Sequence, residues 1–513
     1  MFSTILSGAI FGMHSYLVRV EVDVSQGLPC FVMVGSIGGE VREAGERVRI
    51  ALKNMGIHLP PMHVAVNFSP ADIRKEGTAF DLPVAIALLV CMGKIQVREQ
   101  EETLFLGELG LNGEVRPVKG VLPIVKTARE HGIKKCVIPM GNLAEASIVP
   151  GMKLKGAETL VQLIGFLQEE KQTGVIETNE EEIKGKISQE MDNYADFEEI
   201  VGQDSVKRAA VLAAVGFHNL LLSGPPGSGK TMAARRLPGI LPPLTLEESL
   251  EVSSVYSIAG LLDEKRSFIA QRPFMNPHHT VSPQAMTGGG VVPRPGAISL
   301  AHRGILFLDE MPEFKRQTLD ALRQPLEEKQ IHIVRSSGSF VYPADFMLVG
   351  AMNSCPCGYY PDKNKCRCTP FEIHQYRSHI SGPILDRIDM KVEVPRVEVS
   401  QLQKRRRGEN SEILRRRVMA ARERQEYRYR DCEIRFNAEL NVKNVDTYCR
   451  IGEKENRLLQ HMFLSLNLSV RAYHRLLKVA RTIADVEECE AIKEEHLAEA
   501  ICYFGEGENG TNG

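Results

Sequence analysis

Residues 16–24, Tyr-Leu-Val-Arg-Val-Glu-Val-Asp-Val, alternate apolar and polar positions and predict a half-buried strand. Residues 30–35 predict a second strand, 40–55 an amphipathic helix and 63–67 another strand. Residues 80–91 are apolar on every face, the pattern of a buried helix. Further strands and a helix follow at 103–106, 114–117, 121–131 and 135–138, so 1–167 is expected to form one α/β domain. Polar residues dominate 168–195, including the run Asn179, Glu180, Glu181 and Glu182, which predicts a charged, partly helical linker. The next stretch, 196–400, carries three short apolar runs at 219–223, 305–308 and 346–352, each expected to be a buried strand. Residues 401–505 read as helical, and 506–513, rich in Gly and Asn, as a disordered tail. The fold class is therefore α/β and multidomain.

Composition narrows the function. A chain of 513 residues with 43% hydrophobic content can bury several cores. The net charge of −2 excludes a polycation, so any nucleic-acid contact must come from a local patch. The longest apolar run, 82–93, is too short to span a bilayer, and Met1-Phe2-Ser3-Thr4 lacks a basic n-region, so a signal peptide is not expected. With eleven cysteines and no secretory signal, a reducing cytoplasm is expected and clustered cysteines point to metal.

The strongest chemical signal is Gly224, Pro225, Pro226, Gly227, Ser228, Gly229, Lys230 and Thr231, which fits G-x-x-x-x-G-K-[ST] between a strand and a helix. Such a loop closes backbone N–H groups around phosphates. Lys230 is placed to meet the β/γ-phosphates of ATP, and Thr231 to ligate Mg²⁺. About eighty residues on, Asp309 and Glu310 emerge at the end of an apolar run, where open α/β sheets bind ligands. Asp309 is expected to hold Mg²⁺ and Glu310 to polarise the attacking water, the parts that phosphoryl transfer needs.

Between them and the 346–352 run, residues 330–342 predict a β-hairpin turning at Ser336, Ser337 and Gly338, with Arg335 a candidate pore contact or a solvated charge. The Gly/Pro-rich stretch from Arg272 to Gly296 predicts an irregular functional loop, with His278 and His279 as hydrogen-bonding residues rather than metal ligands. Cys355, Cys357, Cys366 and Cys368 give C-x-C, eight residues, C-x-C, which suits tetrahedral Zn²⁺; the alternative is four reduced thiols in a loop. The other seven cysteines read as small core residues. Residues 404–435 carry twelve Lys/Arg against six Asp/Glu, with Tyr427 and Tyr429 interleaved. That pattern suits nucleic acid, or simply a solvated helix face.

The N-terminal domain resembles the Lon-protease-like fold through Arg74-Lys75-Glu76-Gly77-Thr78-Ala79-Phe80-Asp81 and Leu106-Gly107-Glu108-Leu109-Gly110-Leu111-Asn112-Gly113-Glu114-Val115. Ala79 and Leu122 stand where the resemblance would put the serine and lysine, so it implies a non-proteolytic scaffold or docking surface. Ser69 and Lys75 read as a turn serine and a solvated lysine. Val201, Gly202 and Gln203 resemble the adenine-side segment of AAA+ ATPases. The segments 278–280, 299–310 and 381–389 make the chain similar to the YifB/ComM family of Mg-chelatase-like AAA+ ATPases over nearly its whole length. That resemblance implies a homo-hexameric ATPase with a C-terminal helical lid. It implies Asn353 as γ-phosphate sensor, Arg387 as an arginine finger reaching a neighbouring subunit, and Arg471 as the lid's sensor arginine. It also implies a DNA partner, through helicase or branch-migration activity in recombination or natural transformation, and a protein partner for the N-terminal domain. A chelatase-type or protein-remodelling ATPase is the alternative.

Overall fold

The computed structural model describes residues 1–504 except 60, 98–99, 169–173, 190–193, 264, 291–292, 336–337, 397–408 and 467. The tail at 506–513, the hairpin turn at 336–337 and Lys404 to Arg407 of the basic span lie outside the described residues.

The N-terminal unit is built on an eight-stranded mixed sheet. Its long central pair, Phe2–Phe11 and His14–Ser25, runs antiparallel from Phe2↔Asp23 to Phe11↔His14. The alternation at 16–24 buries Val18, Val20, Val22 and Val24 against the helix Asp81–Cys91, which is apolar all round because it lies inside this core. Asp81 is fully buried and held by Arg47 at 2.7 and 2.8 Å. Lys75, expected to be solvated, is fully buried and donates to the Gly35 carbonyl at 3.2 Å. Its backbone bridges Ile37, which turns the side chain inward. Ala79 and Leu122 share one apolar cluster.

The segment expected as a charged linker contributes structure to this unit. Ile176–Glu177 pairs with the strand Lys153–Ala157 at the sheet edge. The helix Glu180–Gln189 buries Ile183 and Ile187, spaced one turn apart, beside Leu250 and Phe268 of the following unit.

The three apolar runs of 196–400 form strands of a five-stranded parallel sheet. Its order is Phe274–Met275, Ile305–Leu308, Met347–Met352, Leu220–Ser223 and Met390–Glu393. The outermost of these comes from the Gly/Pro-rich stretch expected to be irregular. Phe274 and Met275 pair with Ile305 and Leu306, and a short helix, Pro283–Thr287, follows. The hairpin forms as expected, from Arg335↔Gly338 to Gln330↔Pro343. The C-terminal part is helical, with Ser411–Tyr429, Val442–Tyr448, Glu453–Ser465, Val470–Val486 and Glu494–Cys502. These helices share one core with the helix Asp204–Gly216. Among the described residues, no helix is long and apolar enough to cross a membrane.

Candidate active site

The strand Leu220–Ser223 delivers the glycine loop at the carboxyl end of the parallel sheet. Gly224 must be glycine, since a Cβ there would lie 2.3 Å from the Val394 carbonyl oxygen. Gly227 and Gly229 have φ of +74° and +92°, a region that favours glycine. Lys230 opens the helix Lys230–Arg236 and folds back over the loop. Its Nζ donates to the carbonyls of Gly224 at 2.8 Å and Pro225 at 2.9 Å, and to Asn353 Oδ1 at 3.2 Å. Burial lowers its pKa from the ordinary lysine value. Ser228 Oγ is buried with no partner among the described residues. Gln203, just after Val201 and Gly202, bridges the Ser228 carbonyl at 2.7 Å and the Pro395 carbonyl at 3.0 Å.

The neighbouring strands bring in the acids. Thr231 Oγ1 donates to Asp309 Oδ2 at 2.8 Å, so the two oxygens proposed for one Mg²⁺ already touch. Glu310 follows with φ of +51°, a conformation that turns its exposed carboxylate away from the strand direction. His279 Nδ1 lies 3.7 Å from Glu310 Oε2, while His278 Nδ1 shares a hydrogen bond with Thr280 Oγ1 at 2.9 Å. His278 is thus a hydrogen-bonding residue, whereas His279 makes no hydrogen bond among the described residues and stands at ion-pair distance from the candidate catalytic carboxylate. Sequence reasoning missed this because the two-residue strand that carries them to Glu310 left no periodic signal.

The four cysteines follow Asn353 directly. All four Sγ atoms lie within 4.8 Å of one another, with Cys355–Cys357 at 3.3 Å, Cys357–Cys366 at 3.6 Å and Cys355–Cys366 at 3.7 Å. Tetrahedral thiolates around zinc, at ~2.3 Å per bond, stand about 3.8 Å apart, so the donor set fits that metal. The Tyr359 backbone N–H pulls the Cys357 thiol down to about 6. The loop also abuts the glycine loop: a Cβ on Gly358 would lie 2.6 Å from Pro226 Cδ and 3.7 Å from Asn353 Cγ. Of the remaining seven cysteines, Cys91, Cys136 and Cys449 are buried, whereas Cys30, Cys432 and Cys502 are exposed, which corrects their reading as core residues.

Arg387 and Arg471 are not brought to this loop. Arg387 lies three residues before the first residue of the strand Met390–Glu393, which runs parallel to Leu220–Ser223 with Leu220↔Met390 in register. Asn219 Nδ2 donates to the Arg387 carbonyl at 2.8 Å, at the strand end away from Gly224. Five residues of strand, at ~3.3 Å each, separate the two ends by roughly 16 Å. Arg471, at the start of the helix Val470–Val486, lies beside it, and both line a cavity of about 390 Å³. Glu327 pairs with Arg387 Nη2 and lies 3.6 Å from Arg471 Nη2. Glu327, and not the adjacent Asp386 or Asp389, pairs with Arg387; Asp389 accepts from the Asn219 backbone N–H at 2.9 Å. A lone glutamate on a short helix gave no sequence signal.

The described part of the basic span is largely consumed internally. Arg428 binds Asp485 at 2.5 and 2.9 Å, Arg435 binds Asp345 at 2.8 Å, Arg417 binds Glu409, and Arg422 is buried over Phe436. Tyr429 is buried and unavailable for stacking, while Tyr427 is exposed beneath Arg430. Arg335 on the hairpin is exposed.

Residues 196–402 match the family described as magnesium chelatase, subunit ChlI; 20–142 match subunit ChlI of Mg-chelatase, and 408–503 its C-terminal part. The chain is 42% identical to competence protein ComM of Haemophilus influenzae, over 97% of this chain and 96% of that protein. It is 41% identical to the uncharacterized protein YifB of Salmonella typhimurium, over 96% and 95%. The magnesium-chelatase 38 kDa subunit of Cereibacter sphaeroides is more distant, at 28% identity over 31% of this chain and 52% of that subunit.

Proposed function

The chain belongs to the YifB/ComM family of Mg-chelatase-like proteins, and from that premise we propose that it is an ATP-hydrolysing AAA+ motor that works as a homo-hexamer on DNA, as a helicase or branch-migration factor in recombination or natural transformation. The observation that carries the ATPase reading is the convergence of Lys230, Thr231, Asp309, Glu310 and Asn353 at one sheet end. Lys230 would exchange its two carbonyl acceptors for phosphate oxygens, while the loop amides cradle the rest. Thr231 and Asp309 would hold Mg²⁺, which neutralises charge building on the phosphates. Glu310 would orient the attacking water, with His279 setting its direction. Val201 and Gly202 would flank the adenine.

Arg387 and Arg471 lie too far from their own loop to serve it, which supports a site completed by a neighbouring subunit. Both guanidinium groups would then stabilise transition-state charge from the partner's side. Arg471, expected as the lid's sensor arginine, would then sense the neighbour's nucleotide. Cys355, Cys357, Cys366 and Cys368 would hold a structural zinc, which braces the loop packed on Pro226 and Asn353. The apolar packing around Ala79 and Leu122 supports a non-proteolytic N-terminal domain that docks a protein partner.

The test is ATP-dependent unwinding of forked DNA by the full-length protein. Wild type should hydrolyse ATP faster with DNA present and displace the strand; Lys230→Ala should do neither. A protein that hydrolyses ATP yet never displaces a strand or migrates a junction is not a DNA motor. A protein-remodelling ATPase is the second reading, favoured by the internal pairing of Arg417, Arg428 and Arg435. Filter binding to single-stranded DNA separates the two, since phosphate contacts give a steep salt dependence.

A further inference from the structure

Arg387 and Arg471 enter the cavity from different elements, yet one carboxylate contacts both. Glu327, on the helix Arg323–Glu328, pairs with Arg387 Nη2 and stands 3.6 Å from Arg471 Nη2. Of the acids that line the cavity, Asp386 forms no ion pair with either arginine among the described residues, and the other three have partners of their own. Asp345 and Glu439 are held by Lys329 at 3.1 and 2.8 Å, and Asp389 by the Asn219 backbone N–H. Glu327 is thus the one carboxylate touching either guanidinium among the described residues. The arginines also ask for more than it gives. Arg387 is 14% exposed, and its buried Nε finds no acceptor among the described residues. Arg471 is 65% exposed, and Glu327 is its one ion-pair partner among the described residues.

We propose that Glu327 is a placeholder anion: it neutralises Arg387 and Arg471 in the separate subunit and yields them to the phosphates of a neighbour's bound nucleotide. The inference rests on the shared-site reading above. A carboxylate left between these guanidiniums and a triphosphate would repel it, so Glu327 must swing out on assembly. Its half-exposed position, 52%, leaves it room to do so. Exposed ion pairs are weak, so the more highly charged phosphate wins the competition. Glu327 therefore sets how readily nucleotide drives subunits together, and it acts through the two arginines rather than on the reaction itself.

The test is sedimentation velocity of the full-length protein against subunit concentration, with Mg²⁺ and an imido-bridged ATP analogue. Glu327→Gln should lower the half-assembly concentration about threefold, the scale of releasing exposed ion pairs. The shift should vanish without nucleotide, and vanish again when Glu327→Gln is combined with Arg387→Ala and Arg471→Ala. No shift, a shift to higher concentration, or a shift that persists without nucleotide or without the arginines overturns the proposal. The parent reading has its own control. Mixing Lys230→Ala with Arg387→Ala chains should restore ATPase activity, because some interfaces then pair an intact loop with an intact finger. If mixing fails, the shared site itself is wrong; if mixing succeeds and the shift is absent, only the role of Glu327 is wrong.

Discussion

Two buried carboxylates show how single residues tune this molecule. Glu145 is buried against the following unit, accepting from Asn142 at 2.7 Å, and burial raises its pKa to about 7 from 4.5. A raised acid binds its proton more tightly in the folded state, so its contribution is fully present below about pH 4.5 and lost as pH rises through about 7. Glu145→Gln should therefore leave the melting temperature unchanged near pH 4.5 and raise it at pH 8, by an amount worth roughly 3 kcal/mol at most. Calorimetry across that range checks the sign. Burial raises Asp81 as well, but there a partner, Arg47, opposes the shift and compensates the fully buried carboxylate. Arg47→Ala strands that charge and should cost about 3–5 kcal/mol by chemical denaturation. Neither partner is visible in the sequence. Asp81 lies 34 residues from Arg47, and nothing local links them.

At the scale of elements, legibility followed the length of the pattern. The alternating strand 16–24, the apolar helix Asp81–Cys91 and the glycine loop were readable because each repeats its signal over several turns or matches a fixed spacing. Phe274–Met275 was not, because two residues carry no period; only pairing to Ile305 and Leu306 makes it a strand. The helix Glu180–Gln189 was readable in principle from Ile183 and Ile187, but the acidic run ahead of it obscured a one-turn apolar stripe. The glycine loop and its meeting with Asp309 and Glu310 at one sheet end were legible, whereas the separation of Arg387 from that loop follows from strand register, which no local motif encodes. The cysteine loop carries a prediction at this scale. Gly358 has φ of +81°, and a Cβ there would press on Pro226. Gly358→Ala is strained on both counts and should lower kcat for ATP several-fold while the fold, read by circular dichroism, survives. If the four cysteines hold the proposed zinc, a zinc-selective chelator with Mg²⁺ kept in excess should lower ATPase activity in wild type, and thiol titration should then count four more reactive thiols.

The largest consequence is that the N-terminal and ATPase units are bonded as one body. Leu250 and Phe268 belong to the ATPase unit, yet they sit in the apolar cluster of Leu122, Ile124 and Val125. The Gly120 backbone N–H donates to the Ser257 carbonyl at 3.1 Å. At the other end of the contact, Phe11 stacks on Phe340 of the hairpin at 4.4 Å, and a Cβ on Gly338 would lie 2.6 Å from the Phe11 ring. The hairpin expected to project into a pore is therefore gripped on one face by the turn of the N-terminal sheet. An apolar interface of this kind makes two units unfold together, where a flexible linker would let them melt apart. Phe268→Ala opens a cavity in the shared cluster and should cost about 3–5 kcal/mol. If the units are coupled, hydrogen exchange should speed up in both Lys135–Pro139 and Leu220–Ser223, although the substitution lies in only one unit. Exchange that rises in Leu220–Ser223 alone would mean that the interface transmits nothing, and that motion of the hairpin is free of the domain stacked on it.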